Sequence, residues 1–219
     1  MLFSFYYLCI VNFKTNIMHK LKYNKNISEF RIQFNEYVAV SSQTFYIKKC
    51  QCYAIHDYYP ISGIGYDVDC GIADVRRFIF RFKDGQRVDV EYAANIIVES
   101  IKKREINLEN TCLMIIPASK PEKTNKRFQC FCSLVAKALG IENGFNYLSA
   151  VEHKETKGCS NKCIIPYVVL HPESYNGKNI LLFDDVITSG TSFKQIAAKL
   201  LETGARSVTG IFLAKTTRE

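Results

Sequence analysis

From residue 180 to 183 four apolar residues (Ile, Leu, Leu, Phe) follow one another without alternation. That is the pattern of a short strand buried on both faces, as in a parallel sheet. Asp184 and Asp185 come next, then a turn of small residues: Thr188, Ser189, Gly190, Thr191 and Ser192. From there Phe193, Ile196, Ala197, Leu200 and Leu201 recur at helical spacing, and Gly204 stands where a helix C-terminus favours glycine. The predicted order is strand, acid pair, small-residue loop, helix. A second unit of this kind lies upstream. Residues 112–116 form an apolar strand, residues 117–125 a loop, and Phe128, Phe131, Cys132, Val135 and Leu139 mark a helix that stops at Gly140. Short strands are expected over 146–151, 167–170 and 207–214, with a polar, aperiodic loop over 153–163.

The stretch 74–85 reads two ways. Phe78, Phe80 and Phe82 suit a strand, whereas Val75, Phe78, Ile79 and Phe82 make a helical stripe with Asp74 as N-cap and Gly85 beyond its end. The helix is preferred because both ends carry signals. A further helix is expected from about Val90 to Lys103, with Ala93, Ala94, Ile97 and Ile101 on one face. Earlier in the chain Phe30, Ile32 and Phe34 alternate with polar residues, and Phe45, Tyr46 and Ile47 follow a polar turn. The expected organisation is therefore an extension over 1–27, a β-rich cap over 28–75 and an α/β domain over 76–219. Residues 1–13 are apolar but too short to span a bilayer, and Met18 is a plausible start, so 1–17 are read as a poorly ordered extension or an over-called start, with a weak membrane anchor as the rival.

Composition narrows the chemistry. The chain has 219 residues, 47% of them hydrophobic, which suffices for a core. Its net charge of +8 favours anionic ligands, with phosphates, pyrophosphate and nucleic acid all eligible. Nine cysteines at irregular spacing suit reduced thiols in a cytoplasmic protein. Cys50, Cys52, His56 and Cys70 invite a zinc site, but their spacing is not that of a paired-cysteine ribbon. Packing is preferred there, and no tightly bound zinc is expected.

The stretch after residue 183 has a physical use. Free N–H groups at a helix N-terminus form an anion site, hydroxyls add donors, and Gly190 lets the backbone curl around a phosphate. Two adjacent carboxylates suit vicinal hydroxyls or hydrated Mg2+. Phe183, Asp184, Asp185, Val186, Ile187, Thr188, Ser189, Gly190, Thr191 and Ser192 together resemble the signature of the type I phosphoribosyltransferases. Within that superfamily the likeness is greatest to ComF-like proteins, on residues 77–85, 117–139 and 177–186, with Gly204, Ala205, Leu213 and Ala214 fitting the ending. The N-terminal paired-cysteine ribbon common among ComF proteins is absent.

The resemblance implies an α/β fold, a doubly wound parallel sheet, with an N-terminal β-rich cap. It implies binding of 5-phosphoribosyl-1-pyrophosphate (PRPP) with Mg2+ as cofactor, the ion held by Asp184 and Asp185. Asp184 and Asp185 would hold the ribose hydroxyls, and Val186, Ile187, Thr188, Ser189, Gly190, Thr191 and Ser192 the 5-phosphate. Ala118, Ser119 and Lys120 would meet the pyrophosphate, with Lys154 and Lys157 as catalytic cations of a lid that also carries His153. The acceptor would be a small molecule, a nucleobase or amine. In 6-oxopurine transferases an Asp stands where Thr188 stands here, which argues against hypoxanthine or guanine. A non-catalytic PRPP or nucleotide sensor and an accessory factor in DNA uptake are the alternatives. Nucleic acid is a possible but less favoured partner, a homodimer is possible, and no membrane partner is expected.

Overall fold

The computed structural model describes residues 43–65, 68–152 and 163–217, which fall within one compact unit reaching from Val40 to Glu219. A hairpin opens it, β1 Gln43–Ile47 and β2 Cys50–Tyr58. Two helices follow, α1 Cys70–Lys83 and α2 Arg87–Lys103, then strand β3 Thr111–Ile115, helix α3 Pro121–Leu139 and the short strand β4 Glu142–Asn143. A small ribbon comes next, β5 Leu148–Ala150 and β6 Val168–Leu170. The chain closes with β7 Asn179–Ile187, α4 Thr191–Glu202 and β8 Ser207–Thr216.

The main sheet has the order β1-β2-β8-β7-β3-β4. Every pairing is parallel except β1 with β2. Successive side chains of a strand point to opposite faces, so β7 serves two cores. Ile180 and Leu182 join Cys112, Met114, Val208 and Phe212 in the layer under Phe193, Ile196, Ala197 and Leu200 of α4. On the other face Phe183 stacks on Phe131 at 4.1 Å and meets Phe82 and Phe128 edge-on at 6.2 and 5.9 Å. These are residues of α1 and α3, so helices cover both faces and the unalternated apolar run of β7 is explained. Close approach of α4 depends on Gly210, where a Cβ would lie 2.8 Å from the Phe193 ring and 2.7 Å from Cys52 Sγ.

Residues 74–83 are helical, as the stripe predicts, and Gly85 lies in the turn beyond the end. The cap, however, is Asp69, whose side chain accepts from Gly71 N at 2.7 Å, and Asp74 instead pairs with Arg77 at 3.1 Å. The helix therefore crosses the expected 75/76 domain boundary. Of the expected cap, the alternating stretch 30–34 lies outside the described residues. Residues 43–58 are β structure that extends the main sheet. β2 is buried from Cys52 to His56 on both faces, and a strand apolar on both faces must be covered on both, so it pairs with β8. The strands expected near 146–151 and 167–170 leave the main sheet and pair antiparallel with each other. Each buries only part of its surface, so neither needs a place in the middle of the sheet. Arg76 secures the turn before α1, its guanidinium donating to the carbonyls of Tyr59, Pro60 and Gly65 at 2.6, 3.2 and 2.6 Å.

Candidate functional site

The strand order places the site. After β3 the chain crosses the sheet through α3 and moves outward to β4. After β7 it crosses through α4, on the opposite face, and moves the other way to β8. The direction of winding thus reverses between β3 and β7, and open α/β sheets bind ligands in the crevice outside the strand ends at such a point. The two strand ends are tied together by Ile116 N donating to Phe183 O at 2.8 Å. Residues 117–120 and 184–192, far apart in the chain, therefore flank one crevice.

On the β7 side, Asp184 and Asp185 are neighbours in a continuing strand and so take different surroundings. Asp184 is half-buried, and its Oδ1 accepts from Asp185 N at 2.8 Å. Burial, then the neighbouring Asp185 charge, raises the pKa of its carboxyl, while Lys83 and Arg127 oppose the rise. Asp185 is only 5% exposed. Its Oδ1 faces Lys83 Nζ at 3.3 Å, at the end of α1, and its Oδ2 faces Arg127 Nη1 at 3.4 Å, from α3. Arg127 Nε also donates to the Lys83 carbonyl at 3.1 Å.

Val186 and Ile187, grouped with the phosphate loop in the sequence reading, still pair with Ala214 and Lys215 of β8 and belong to the strand. The loop proper is Thr188 to Gly190, and Thr191 and Ser192 open α4. Gly190 adopts φ 71°, the left-handed conformation that favours glycine. Ser189 Oγ lies 3.0 Å from Thr191 Oγ1, and Thr188 Oγ1 lies 3.1 Å from Thr216 Oγ1 at the end of β8. Hydroxyls and the first N–H groups of α4 thus gather at one helix N-terminus.

On the β3 side, Ala118 N donates to Thr124 Oγ1 at 2.9 Å, which leaves that N–H engaged within the chain. Ser119 is half-buried. Lys120 Nζ pairs with Glu152 at 2.9 Å. Lys154, Lys157 and His153 lie outside the described residues. Sequence reading missed Lys83 and Thr124, and counted Arg127 among the basic residues able to hold the pyrophosphate, in a loop where the structure has the helix α3. No spacing marks them, because each is brought to the crevice by helix packing.

The Mg2+ implied by the resemblance is a poor match for this donor set. Mg2+ demands near-octahedral oxygen ligands at short range. Both Asp185 oxygens already face cations, whose charge opposes a divalent ion, and Asp184 is pushed toward protonation. The four zinc candidates are placed separately in character: Cys50 and Cys52 belong to the core under α4, His56 meets the Phe78 ring, and Cys70 is exposed at the start of α1. Among the described residues no three His, Cys, Asp or Glu side chains gather as a metal site, and no helix is long and apolar enough to cross a membrane.

No family model matches the chain. It is 28% identical over 142 residues to the competence protein ComFC of Streptococcus pneumoniae, covering 61% of this chain and 60% of that protein. The chain thus spans about 60% of the curated relative it matches. Among solved structures it is similar to the allosteric regulatory enzyme of purine biosynthesis, at 14% identity over 61% of this chain and 30% of that one, with a TM-score of 0.44. It is also similar to adenine phosphoribosyltransferase from Thermoanaerobacter pseudethanolicus, at 15% identity over 55% of this chain and 79% of that one, with a TM-score of 0.34. The ComFC match agrees with the resemblance carried by residues 183–192, and the chain is similar to ComF-like proteins.

Proposed function

We propose that this chain binds 5-phosphoribosyl-1-pyrophosphate and transfers its phosphoribosyl group to a nitrogen acceptor, a nucleobase or amine. The observation that carries the reading is the crevice where winding reverses, with an acid and a hydroxyl-rich helix N-terminus on one wall and residues 117–120 on the other. The N–H groups and hydroxyls of Thr188 to Ser192 would take the 5-phosphate. Asp184, on the same strand end, would accept from the ribose hydroxyls. In the transfer the C1–oxygen bond breaks, its electron pair leaves on pyrophosphate, and the acceptor nitrogen bonds to C1 and gives up its proton to solvent. Charge on the departing group needs fixed positive partners. Lys120 can serve once it leaves Glu152, and Lys154 and Lys157 are proposed to add to it.

Two measurements test this. Pyrophosphate release from the donor is followed against a panel of bases and amines, with and without Mg2+. Calorimetry then compares the parent with Asp184→Ala, which removes the acceptor and is expected to weaken donor binding by about tenfold or more and to leave inorganic phosphate binding nearly unchanged. A parent chain that binds neither the donor nor ribose 5-phosphate refutes the reading. The likeness to a competence protein favours a second reading, an accessory role in DNA uptake. Salt-dependent binding of single-stranded DNA without any donor binding would select it.

A further inference from the structure

The two acids after Phe183 look equivalent in the sequence, and the strand makes them unequal. Asp185 lies at the α1 and α3 side of β7, between Lys83 and Arg127. Lys83 is in the last turn of α1, where the helix dipole favours a cation. Arg127 lies on α3 one turn past Thr124, whose hydroxyl holds the backbone of the pyrophosphate-side loop at Ala118. The bond from Arg127 Nε to the Lys83 carbonyl links the two cation-bearing helices. Two cations thus share one carboxylate, and the trio keeps a net positive charge. It is also held in place, with side chains only 32%, 20% and 7% exposed for Lys83, Arg127 and Asp185. Among the described residues neither cation forms an ion pair with a second acid, although the charge of both also acts on Asp184. Both keep N–H groups that Asp185 does not use, since an ammonium and a guanidinium carry several donors each.

We infer that Lys83 and Arg127, fixed by Asp185, supply the positive charge that holds the diphosphate of the bound pentose, so that binding needs no divalent cation. This rests on the function proposed above. Asp185 is then a positioning residue rather than a ligand to metal or sugar. A charge fixed by folding is available before the ligand arrives, whereas a divalent ion in this position would meet two cations at close range.

The test is calorimetric titration of the full chain with 5-phosphoribosyl-1-pyrophosphate, in EDTA and in Mg2+. The parent is expected to bind with affinities within about threefold of each other in the two buffers. Lys83→Gln and Arg127→Gln are expected to bind at least about tenfold more weakly in EDTA and to recover part of the loss in Mg2+. Arg127→Lys, which keeps the charge and guards against a folding defect in the Gln variant, is expected to retain binding in EDTA. A parent that loses more than about tenfold in EDTA overturns the inference and leaves the proposed function standing. Gln variants that bind like the parent in EDTA overturn it as well. A parent that binds in neither buffer refutes the proposed function and the inference with it.

Discussion

His56 offers the sharpest test of how this fold responds to acid. It lies on β2, 3% exposed, with its ring edge-on to Phe78 at 6.0 Å. Its Nε2 is buried and has no hydrogen-bond partner among the described residues. Burial lowers its pKa from 6.5 to about 4, against a smaller opposing pull from the Asp57 charge. The folded chain therefore resists the proton that the unfolded chain takes up near pH 6.5. Between those two values the unfolded state binds more protons, so stability rises with pH. The contribution is fully present above pH 6.5 and is lost progressively down to about pH 4. The gap of about 2.5 pH units, at about 1.36 kcal/mol per unit, amounts to about 3 kcal/mol in all. Between about pH 7.5 and about pH 5 the loss should be about 2 kcal/mol. Urea unfolding of the parent and of His56→Phe at both values measures it, because acid-titrating carboxylates act on both proteins and cancel in the difference. His56→Phe should lose about 2 kcal/mol less than the parent over that interval. Equal losses in the two proteins would refute the argument and show that the buried ring gains its proton without cost.

Phe183→Ala removes a fully buried ring stacked on Phe131 at 4.1 Å. It should cost about 3–5 kcal/mol in urea unfolding, and a loss below about 1 kcal/mol would mean that the layer beneath α1 and α3 is not a packed core. Gly190→Ala places a Cβ at φ 71°, 2.9 Å from Ile47 Cδ1. A loss of about 1–2 kcal/mol is expected, together with weaker ribose 5-phosphate binding by calorimetry, and an unchanged unfolding midpoint would show that the turn has another conformation to adopt.

Local chemistry was legible along the chain wherever one element carries it. The run at 180–183, the turn at 188–192 and the stripe from Phe193 to Leu201 each state their own conformation, because periodicity and turn residues act over a few positions. The stripe of Phe78, Ile79 and Phe82 likewise chose helix over strand, although the cap at Asp69 lay five residues earlier than Asp74. What no single stretch contains is the partner of a strand. That β2 pairs with β8, and that β5 and β6 leave the main sheet for each other, depends on which apolar faces remain uncovered once all strands compete for them. The acid pair shows the same division most clearly. Its position after a buried strand is a property of the sequence. The difference between Asp184 and Asp185 is not, because Lys83 and Arg127 stand 102 and 58 positions away from Asp185 (185 − 83 and 185 − 127) and reach it only through the packing of α1 and α3. Residue types determined that an anion site could form at the end of β7, and tertiary packing decided which of its two acids is paired with Lys83 and Arg127.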